Sequence, residues 1–487
     1  MLKNYLIIAY RNLLKNKVFV FINIVGLGVA IASSIVAYLN YDFNEGFDVE
    51  HINAPEIYRV NSSREFNGRT TTYGLAPKGM GEMIRQNIPE LTSVVRITPG
   101  GGNIRIDEDL FSSNITYVDE EFFNMFTFDI TGSIDLKNKS NIYISDKIAN
   151  KYFGSDDPIG KIITHVLPDR VKDYTVAGVF IKKPGNSSFA DVETITNYEN
   201  FFEVNPDTKI NEWNSWNLTF IQSANPNIKD VMAGEMVKMI EPQNLAREDY
   251  QITNYYLDPL PGMAKRTESD DIGVFLLRQG IPGPAVSVPL IMSGLLLLLA
   301  CFNFTNSSIA ISGKRLKEIG LRKVMGGLRS QLVFQFLTEN ILLCFMALLV
   351  GLVLAEFLVP VYSEMWPFLD LSLSYSENSG LIIFLIGILF LTGFIAGSYP
   401  AFYISKFEPT SILKRTEKYG GAGILSKVLL VFQFTISLLA VIFSVSFIQN
   451  ANYQQNFDLG YTSDGVVHVQ FNTRNEYDVF RNKVEQN

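Results

Sequence analysis

The chain has 487 residues, 47% of them hydrophobic, and its mean hydropathy is +0.14. This length allows more than one domain, and the apolar residues gather in long uninterrupted runs that indicate a hydrocarbon solvent and exclude an ordinary soluble protein. The net charge is −8, and the two cysteines, Cys301 and Cys344, both lie inside apolar runs. A fold held together by disulfides outside the membrane is therefore excluded as well.

Residues 1–17 are the first predicted element, an amphipathic helix that lies in the interface of the membrane. Its apolar face would comprise Leu2, Tyr5, Leu6, Ala9 and Leu13. A frayed basic N-terminus is the alternative. Residues 18–40 follow as the first predicted transmembrane helix (TM1), which is too long for the apolar part of a signal peptide.

Residues 41–285 are predicted to form a large mixed α/β domain outside the cytoplasm. Between residues 42 and 283 there are 23 Lys and Arg against 36 Asp and Glu, a net charge of −13, which argues against nucleic acid as a partner. NIYIS and DYTVAGVF predict strands, whereas PKGMGEMIRQNI, EFFNMF and SDKIANKYF predict short helices. Gly and Pro clusters at 99–102, 156–160 and 183–186 predict loops. The PGGGNIR loop lacks the Lys-Ser/Thr of a phosphate-binding loop.

Four further apolar runs predict transmembrane helices at 286–312 (TM2), 331–360 (TM3), 381–404 (TM4) and 428–449 (TM5). They are joined by a loop at 313–330, a short exterior loop at 361–380 and a linker at 405–427, and residues 450–487 follow. Lys and Arg gather before TM1, between TM2 and TM3, and between TM4 and TM5, whereas residues 361–380 contain neither. The positive-inside rule therefore predicts a cytoplasmic N-terminus.

A few polar and small residues within the runs are candidates for a role of their own. Glu339 lies inside TM3, where an ionisable group is either functional or paired for structural reasons. Gly393 and Gly397 allow close helix packing, within one bundle or against a second subunit. The histidines His51, His165 and His468 are scattered without metal-ligand spacing, so the sequence predicts no metal, no catalytic set and no bound cofactor.

The loop at 313–330 combines a basic amphipathic helix with a Gly-Gly break before TM3. Ile319, Val324 and Met325 could present an apolar ridge to a partner, with charge supplied by Arg322 and Lys323. An ordinary basic cytoplasmic loop is the alternative.

This loop resembles the coupling loop of the MacB/FtsX-like ABC transporter permease family. The residues that fit the family pattern are Arg315, Glu318, Ile319, Gly320, Leu321, Arg322, Lys323 and Gly326. GSYPAFYISKFEPTSILK (397–414) is similar to the family, as are EGFDVEHINAPEIYRV, VDEEFFNMFTFDI and SDKIANKYFGSDDPIGKII in the exterior domain. FDLGYTSDGVV (457–467) resembles the start of a second exterior domain.

The resemblance implies a MacB-type periplasmic core domain and a place in the bacterial inner membrane. It also implies a homodimer or pseudo-dimer of permeases, a cytoplasmic ABC ATPase in trans that binds the ATP, and a periplasmic partner. In such a permease, ATP hydrolysis moves the exterior domains, a process called mechanotransmission, to export or handle peptide, antibiotic or lipoprotein cargo. A membrane regulator that uses the same motion to activate an envelope enzyme or signal stress is the alternative, and a receptor without an ATPase is a third.

Two features distinguish the sequence from other members of this family: those that carry the ATPase in the same chain, and those that have two exterior domains. The 487 residues contain no G-x-x-x-x-G-K-[ST] motif, so we expect the ATPase to be a separate, catalytic chain and this chain to be non-catalytic. Family members with two exterior domains have eight spans. Because five are predicted here, and Lys427-Val428 repeats the entry of TM1 at Lys17-Val18, we expect the sequence to be truncated.

Overall fold

The computed structural model describes most of the chain in two compact units, which are, in the main, residues 43–283 with 474–485 and residues 15–42 with 284–457. The described residues are 11, 15–66, 68–106, 109–167, 170–267, 277–314, 316–366, 368–376, 378–405, 424–457, 460 and 474–485. Most of the predicted interfacial helix at 1–17 and most of the linker at 405–427 lie outside these residues, as do 458–459, 461–473 and 486–487 of the last predicted segment.

Within the described residues, five helices are long and apolar enough to cross a membrane. They are α1 (Lys17–Glu45), α9 (Gly283–Lys314), α11 (Arg329–Ser363), α12 (Ser379–Ser405) and α13 (Ile424–Gln455). Each contains one predicted span and extends beyond it at both ends. The prediction of five apolar helices beside a mixed α/β domain is confirmed. The helix bounds exceed the predicted spans because the backbone stays helical past the apolar run, as at Tyr41–Glu45 in α1.

Small residues set the packing of the helix bundle. A Cβ placed on Gly28 of α1 would lie 3.0 Å from Val350 Cγ1 of α11, and one on Gly351 would lie 2.9 Å from Ile31 Cγ2. Because neither glycine leaves room for a side chain, the two backbones approach closely.

Contacts between helices show which helix ends lie together at each end of the bundle. At one end, Phe19 of α1 stacks on Phe304 of α9 with 6.0 Å between the ring centroids. At the other end, Asn40 Nδ2 donates to Ala285 O at 2.9 Å, and Asn378 Nδ2 donates to Asp42 Oδ2 at 2.8 Å. The basic segment after α9 therefore lies at the same end as the start of α1, as alternating crossings require.

The unit at residues 43–283, which we call the exterior unit, is built on a single continuous sheet with both parallel and antiparallel strands. The described residues contribute twelve strands to this sheet. The main path of hydrogen-bonded neighbours is β12-β1-β11-β4-β5-β10-β7-β9-β6. Off this path, β2 pairs with β1, β3 pairs with β11, and β8 pairs with both β4 and β9. The strands are β1 (Ile57–Phe66), β2 (Arg69–Tyr73), β3 (Ala76–Pro77), β4 (Ser93–Ile106), β5 (Asp109–Val118), β6 (Ile130–Gly132), β7 (Asn141–Ser145), β8 (Ile162–Val166), β9 (Val171–Phe180), β10 (Thr194–Asn197), β11 (Trp216–Gln222) and β12 (Asn254–Pro259).

Short helices cover the faces of this sheet. They are α2 (Lys78–Asn87), α3 (Phe122–Met125), α4 (Asp146–Phe153), α5 (Glu199–Val204), α6 (Ile228–Met236), α7 (Ile240–Ala246) and α8 (Met263–Thr267). Two further helices, α10 (Leu316–Val324) and α14 (Arg474–Glu485), lie elsewhere in the chain. The predicted strands NIYIS and DYTVAGVF are confirmed as β7 and part of β9, and the three predicted short helices as α2, α3 and α4.

Aromatic packing holds the centre of the exterior unit. Phe126 contacts Phe189 with 4.6 Å between ring centroids and Phe220 with 5.2 Å, and all three rings are buried. Their cluster continues through Phe122. Burial of each such side chain contributes about 1.5–3 kcal/mol, so this unit has a core of its own.

The predicted loop at PGGG (99–102) is wrong, because these residues lie inside the 14-residue strand β4. The glycines are needed for ring packing rather than for a turn. A Cβ on Gly100 would lie 2.7 Å from Tyr117 Cε2, and one on Gly102 would lie 2.0 Å from His165 Nε2. Two buried rings therefore rest directly on the backbone of the strand.

We expect Gly102→Ala to destabilise the exterior unit by about 1–3 kcal/mol, because the new methyl group would displace the buried His165 ring. Gly101→Ala is the matched control, since nothing lies within 4 Å of a Cβ at that position. Thermal unfolding of the detergent-solubilised chain would measure both. Equal melting temperatures for the two variants would contradict the packing role of Gly102.

Candidate functional site

The basic loop between α9 and α11 folds into a short helix and a sharp turn. Helix α10 ends at Val324, and Gly326 has a φ of +94°, a left-handed conformation that favours glycine. Gly327 N donates to Arg322 O at 2.9 Å, and a Cβ on Gly327 would lie 2.9 Å from the same oxygen. The Gly-Gly pair thus ends α10 and lets the chain turn into α11.

The residues predicted for this site are only partly described. Arg315 lies outside the described residues, as do the side chains of Glu318 and Ile319, although their backbone belongs to α10. The backbone of Gly320 is buried, and Arg322 and Lys323 form the last turn of the helix. The predicted apolar ridge therefore has to be judged from the residues that follow Gly320.

Exposed apolar side chains do line this segment. Val324 is 60% exposed and Met325 80% exposed. Leu321 and Leu328 extend the ridge, and it borders an open groove of about 700 Å³. The groove is lined by Leu328, Arg329, Ser330, Val333, Phe334 and Leu337. A mainly apolar surface beside cationic residues can bind a partner with apolar and acidic groups.

A chain of hydrogen bonds links α10 to the interior of the bundle. Arg322 Nη1 donates to Gln335 Oε1 at 2.7 Å, and Gln335 Nε2 donates to Glu339 Oε1 at 3.1 Å. The side chains of Gln335 and Glu339 are buried in α11. A displacement of α10 is thereby connected to α11 by polar contacts as well as by the covalent turn.

The two glycines predicted to pack helices lie on α12 against α11 of the same chain. A Cβ on Gly393 would lie 3.1 Å from Ile341 Cγ1, and one on Gly397 would lie 2.6 Å from Asn340 Nδ2. This close approach lies within one chain, at the two residues of α11 that directly follow Glu339.

Gln335 is the residue of this site that the sequence analysis missed. The sequence contained a signal for it, since a glutamine four residues before Glu339 in a predicted transmembrane helix places both side chains on one helix face. The partner across the turn, Arg322, could not be inferred from spacing because the geometry of the Gly-Gly turn decides it.

The exterior unit contains a second group of candidate residues, the side chains of Asp48, Glu50 and His51, whose potential ligand atoms lie within 4.8 Å of one another. His51 Nε2 lies 4.0 Å from Asp48 Oδ1 and 3.9 Å from Glu50 Oε1. Such a set could in principle hold a metal ion.

The hydrogen bonds of His51 do not fit a metal ligand. Thr127 N donates to His51 Nδ1 at 3.2 Å, so in the neutral ring Nδ1 carries the lone pair and Nε2 carries the proton. The atom that faces the two carboxylates is therefore a donor and cannot coordinate a metal. Asp48 also already accepts hydrogen bonds from Ser188 N at 2.7 Å and Ser188 Oγ at 2.6 Å. This arrangement favours a structural role.

Comparison with known proteins identifies both halves of the chain. Residues 20–235 match the model of the MacB-like periplasmic core domain, and residues 290–409 match the FtsX-like permease C-terminal model. The chain belongs to the MacB/FtsX-like family of ABC transporter permeases. Residues 43–235 of the exterior unit and the segment 316–339 lie within the matched ranges.

Relatives agree with this assignment at low identity. The permease is 23% identical over 333 residues to "Macrolide export ATP-binding/permease protein MacB" of Neisseria gonorrhoeae, which covers 66% of this chain and 47% of that protein. It is 24% identical over 321 residues to "Uncharacterized ABC transporter permease YvrN" of Bacillus subtilis, covering 62% and 71% of the two chains. The permease thus spans about half the length of the MacB proteins that it matches.

Solved structures are similar to part of this permease at low scores. A domain of a putative permease from Porphyromonas gingivalis is 16% identical with a TM-score of 0.37, covering 49% of this chain and 98% of that one. The periplasmic region of MacB from Actinobacillus actinomycetemcomitans is 12% identical with a TM-score of 0.32, covering 46% and 99%. The two family models, rather than these low scores, decide the family.

Replacing Gln335 by leucine should loosen the contact between α10 and α11, because the bond to the Arg322 guanidinium is worth about 1.5–3 kcal/mol. Hydrogen exchange in residues 316–327 of the solubilised permease would then be faster. Thr338→Ala is the control, since Thr338 bonds only Phe334 O of its own helix among the described contacts. Unchanged exchange in Gln335→Leu would show that the turn alone holds α10.

The pH dependence of stability should depend on His51. Burial, together with the charge of Lys183, lowers the pKa of His51 to about 3, so the unfolded chain takes up a proton below its ordinary pKa while the folded chain does not. Acidification from pH 6.5 to pH 5 should therefore cost about 2 kcal/mol through this group. In His51→Gln this loss should be absent in pH-dependent thermal unfolding.

Protonation of Asp48 should change stability with pH in the opposite direction, which provides a check on the prediction for His51. Burial raises its pKa to about 6, so the folded chain binds a proton more readily and this group adds stability as the pH falls from about 6 to 4. Asp48→Asn should then be more sensitive to acid than the unmodified permease. If His51→Gln and Asp48→Asn changed the acid sensitivity of thermal unfolding in the same direction, these assignments would be contradicted.

Proposed function

We propose that this permease couples ATP hydrolysis by a separate cytoplasmic ABC ATPase to movement of its exterior domain. ATP would be bound by the partner chain. The coupling residues would be Arg315, Glu318, Ile319, Gly320, Leu321, Arg322, Lys323 and Gly326. The chain itself would be non-catalytic.

The observation that supports this proposal best is an exposed apolar ridge joined to a buried polar chain. Met325 offers a surface to a partner, while Arg322 on the same segment is hydrogen-bonded to Gln335 within α11. A push on the ridge would therefore reach a helix that spans the membrane. An ordinary basic loop has no need of a bonded path into the bundle.

Charge and helix ends support the predicted placement in the bacterial inner membrane. The start of α1 and the basic loop lie at one end of the bundle, as the positive-inside rule requires of two cytoplasmic segments. The exterior domain would then be periplasmic, and the permease would act as a homodimer or pseudo-dimer, with a periplasmic partner.

The proposed cargo is a peptide, antibiotic or lipoprotein that the permease exports or handles at the envelope. Relatives named for macrolide export support the antibiotic class. Activation of an envelope enzyme by the same motion, without transport, is the alternative in which the ATPase and the coupling residues keep their roles.

The double variant Lys323→Glu/Met325→Ser should abolish co-purification of the ATPase and any stimulation of its ATP hydrolysis, because it reverses a charge and removes an exposed apolar contact. It leaves the bond between Arg322 and Gln335 in place. The full-length permease, co-expressed with candidate ABC ATPases, is purified through a tag and the bound ATPase is quantified.

Lys427→Glu is the matched control, because Lys427 is a basic residue on the same predicted side at the start of α13 but outside the loop. It should retain the ATPase. Full association in the double variant would show that the loop is not the docking site.

A further inference from the structure

Two segments connect the exterior unit to its neighbouring spans, and one loop contacts both of them. Residues 43–52 continue from α1, and residues 277–283 lead into α9. The loop at 185–191, which we call the clasp, lies between β9 and β10 in sequence and bonds to each segment. It begins within the Gly-Pro loop that the sequence predicted at 183–186 and extends five residues beyond it.

The first segment is held through Asp48. The Asp48 carboxylate accepts hydrogen bonds from Ser188 N at 2.7 Å, Ser188 Oγ at 2.6 Å and Ser187 Oγ at 3.3 Å. In the backbone, Asp48 N donates to Asn186 O at 3.2 Å, and Asn186 Nδ2 donates to Gly46 O at 3.2 Å. Asp48 is 2% exposed, so this network is shielded from water.

The backbone of Asp48 is constrained by these bonds. Its φ is +59°, and it is the non-glycine residue with positive φ among the described residues. This conformation costs free energy for a residue with a side chain and persists only where the surroundings hold it. The clasp supplies that hold, which indicates a junction whose geometry is fixed.

The second segment is held through Arg278. Arg278 N donates to Ser188 O at 2.9 Å, its Nε donates to Asp191 Oδ2 at 3.0 Å, and its Nη1 donates to Gly185 O at 3.3 Å. Ser188 therefore contacts both segments, one through its N–H and hydroxyl and the other through its carbonyl. The segments also contact each other, since Ile281 N donates to Asn44 Oδ1 at 2.8 Å.

The residue after Ser188 fixes the clasp to the core. Phe189 is 1% exposed and packs on Phe126 and Phe220 in the aromatic centre of the exterior unit. A connecting segment that was tethered only by its covalent bonds could rotate about its own dihedral angles. Because both segments are bound at one core-anchored residue, they are constrained to move with the sheet.

We propose that the clasp is the joint through which motion of the first two spans reaches the exterior domain, with Asp48 and Arg278 as positioning residues. The proposal rests on the proposed function for the source of the motion. It adds the place where that motion enters the exterior domain and the residues that transmit it.

The first experiment needs no ATPase. Hydrogen exchange of the full-length permease in detergent is compared for the unmodified chain, Asp48→Ala, Asp48→Asn and the control Arg247→Gln, which breaks the exposed pair of Arg247 with Asp249. In Asp48→Ala, exchange should rise about tenfold in residues 43–52 and also in residues 277–281, because both share Ser188. Asp48→Asn should recover much of the protection, since its carbonyl oxygen still accepts from Ser188 N.

Two results of this experiment would overturn the proposal. In one, Asp48→Ala loosens residues 43–52 and leaves 277–281 unchanged, so the segments are not coupled. In the other, exchange rises equally in the remote strand β12, so the variant has merely destabilised the whole unit. Arg278→Gln provides the reverse test and should loosen residues 43–52.

The second experiment measures transmission. With Cys301 and Cys344 replaced by alanine, spin labels at Lys151→Cys and Glu364→Cys report the distance between the exterior sheet and the membrane bundle, in the permease purified with its ATPase. Asp48→Ala should retain the ATPase and its stimulation but lose most of the ATP-dependent distance change. An undiminished change would refute transmission through the clasp. If no ATPase co-purifies with the unmodified permease, the proposed function fails, and the exchange experiment still decides the coupling of the two segments.

Discussion

Inside the hydrocarbon layer no water is available to hydrogen-bond a polar group, and this constraint governs the membrane part of the permease. It forces the spans into helices, whose backbone groups bond within the segment. It also means that a polar side chain left in the bundle needs a protein partner. Gln335 and Glu339 meet this need by bonding to each other and, through Gln335, to Arg322 of the basic loop. The hydrogen bonds that satisfy these buried polar groups therefore also connect the basic loop to α11.

In the exterior unit, buried polar contacts restrict the rotation of the two segments that lead to the spans. Its sheet is stable through its own aromatic core, but the segments that leave it would be free to swivel if only covalent bonds held them. Ser188 removes this freedom by bonding to both segments, and Phe189 fixes it to the core. In each unit, a small number of buried polar contacts connects a loop or connecting segment to the packed part of that unit.

The sequence predicted the elements better than their contacts. Run length and charge were sufficient for the spans, because the thickness of a bilayer and the positive-inside rule leave few alternatives. Alternation and helical spacing were sufficient for elements such as β7 and α4. The glycines at 100–102 were misassigned, because Gly also serves where a neighbouring ring needs space, and that neighbour, His165, is distant in sequence. The bond from Arg322 to Gln335 and the double contact of Ser188 likewise depend on tertiary geometry, which local patterns do not contain.

The packing of β4 also has an evolutionary consequence. Three adjacent glycines look equivalent in the sequence, yet rings occupy the space beside Gly100 and Gly102 and leave the space beside Gly101 open. Substitutions should therefore accumulate at Gly101, whereas selection should remove substitutions at Gly100 and Gly102. Among related permeases, the strand would diverge in steps of two residues, so that its pattern of inherited change reproduces the alternation of its two faces.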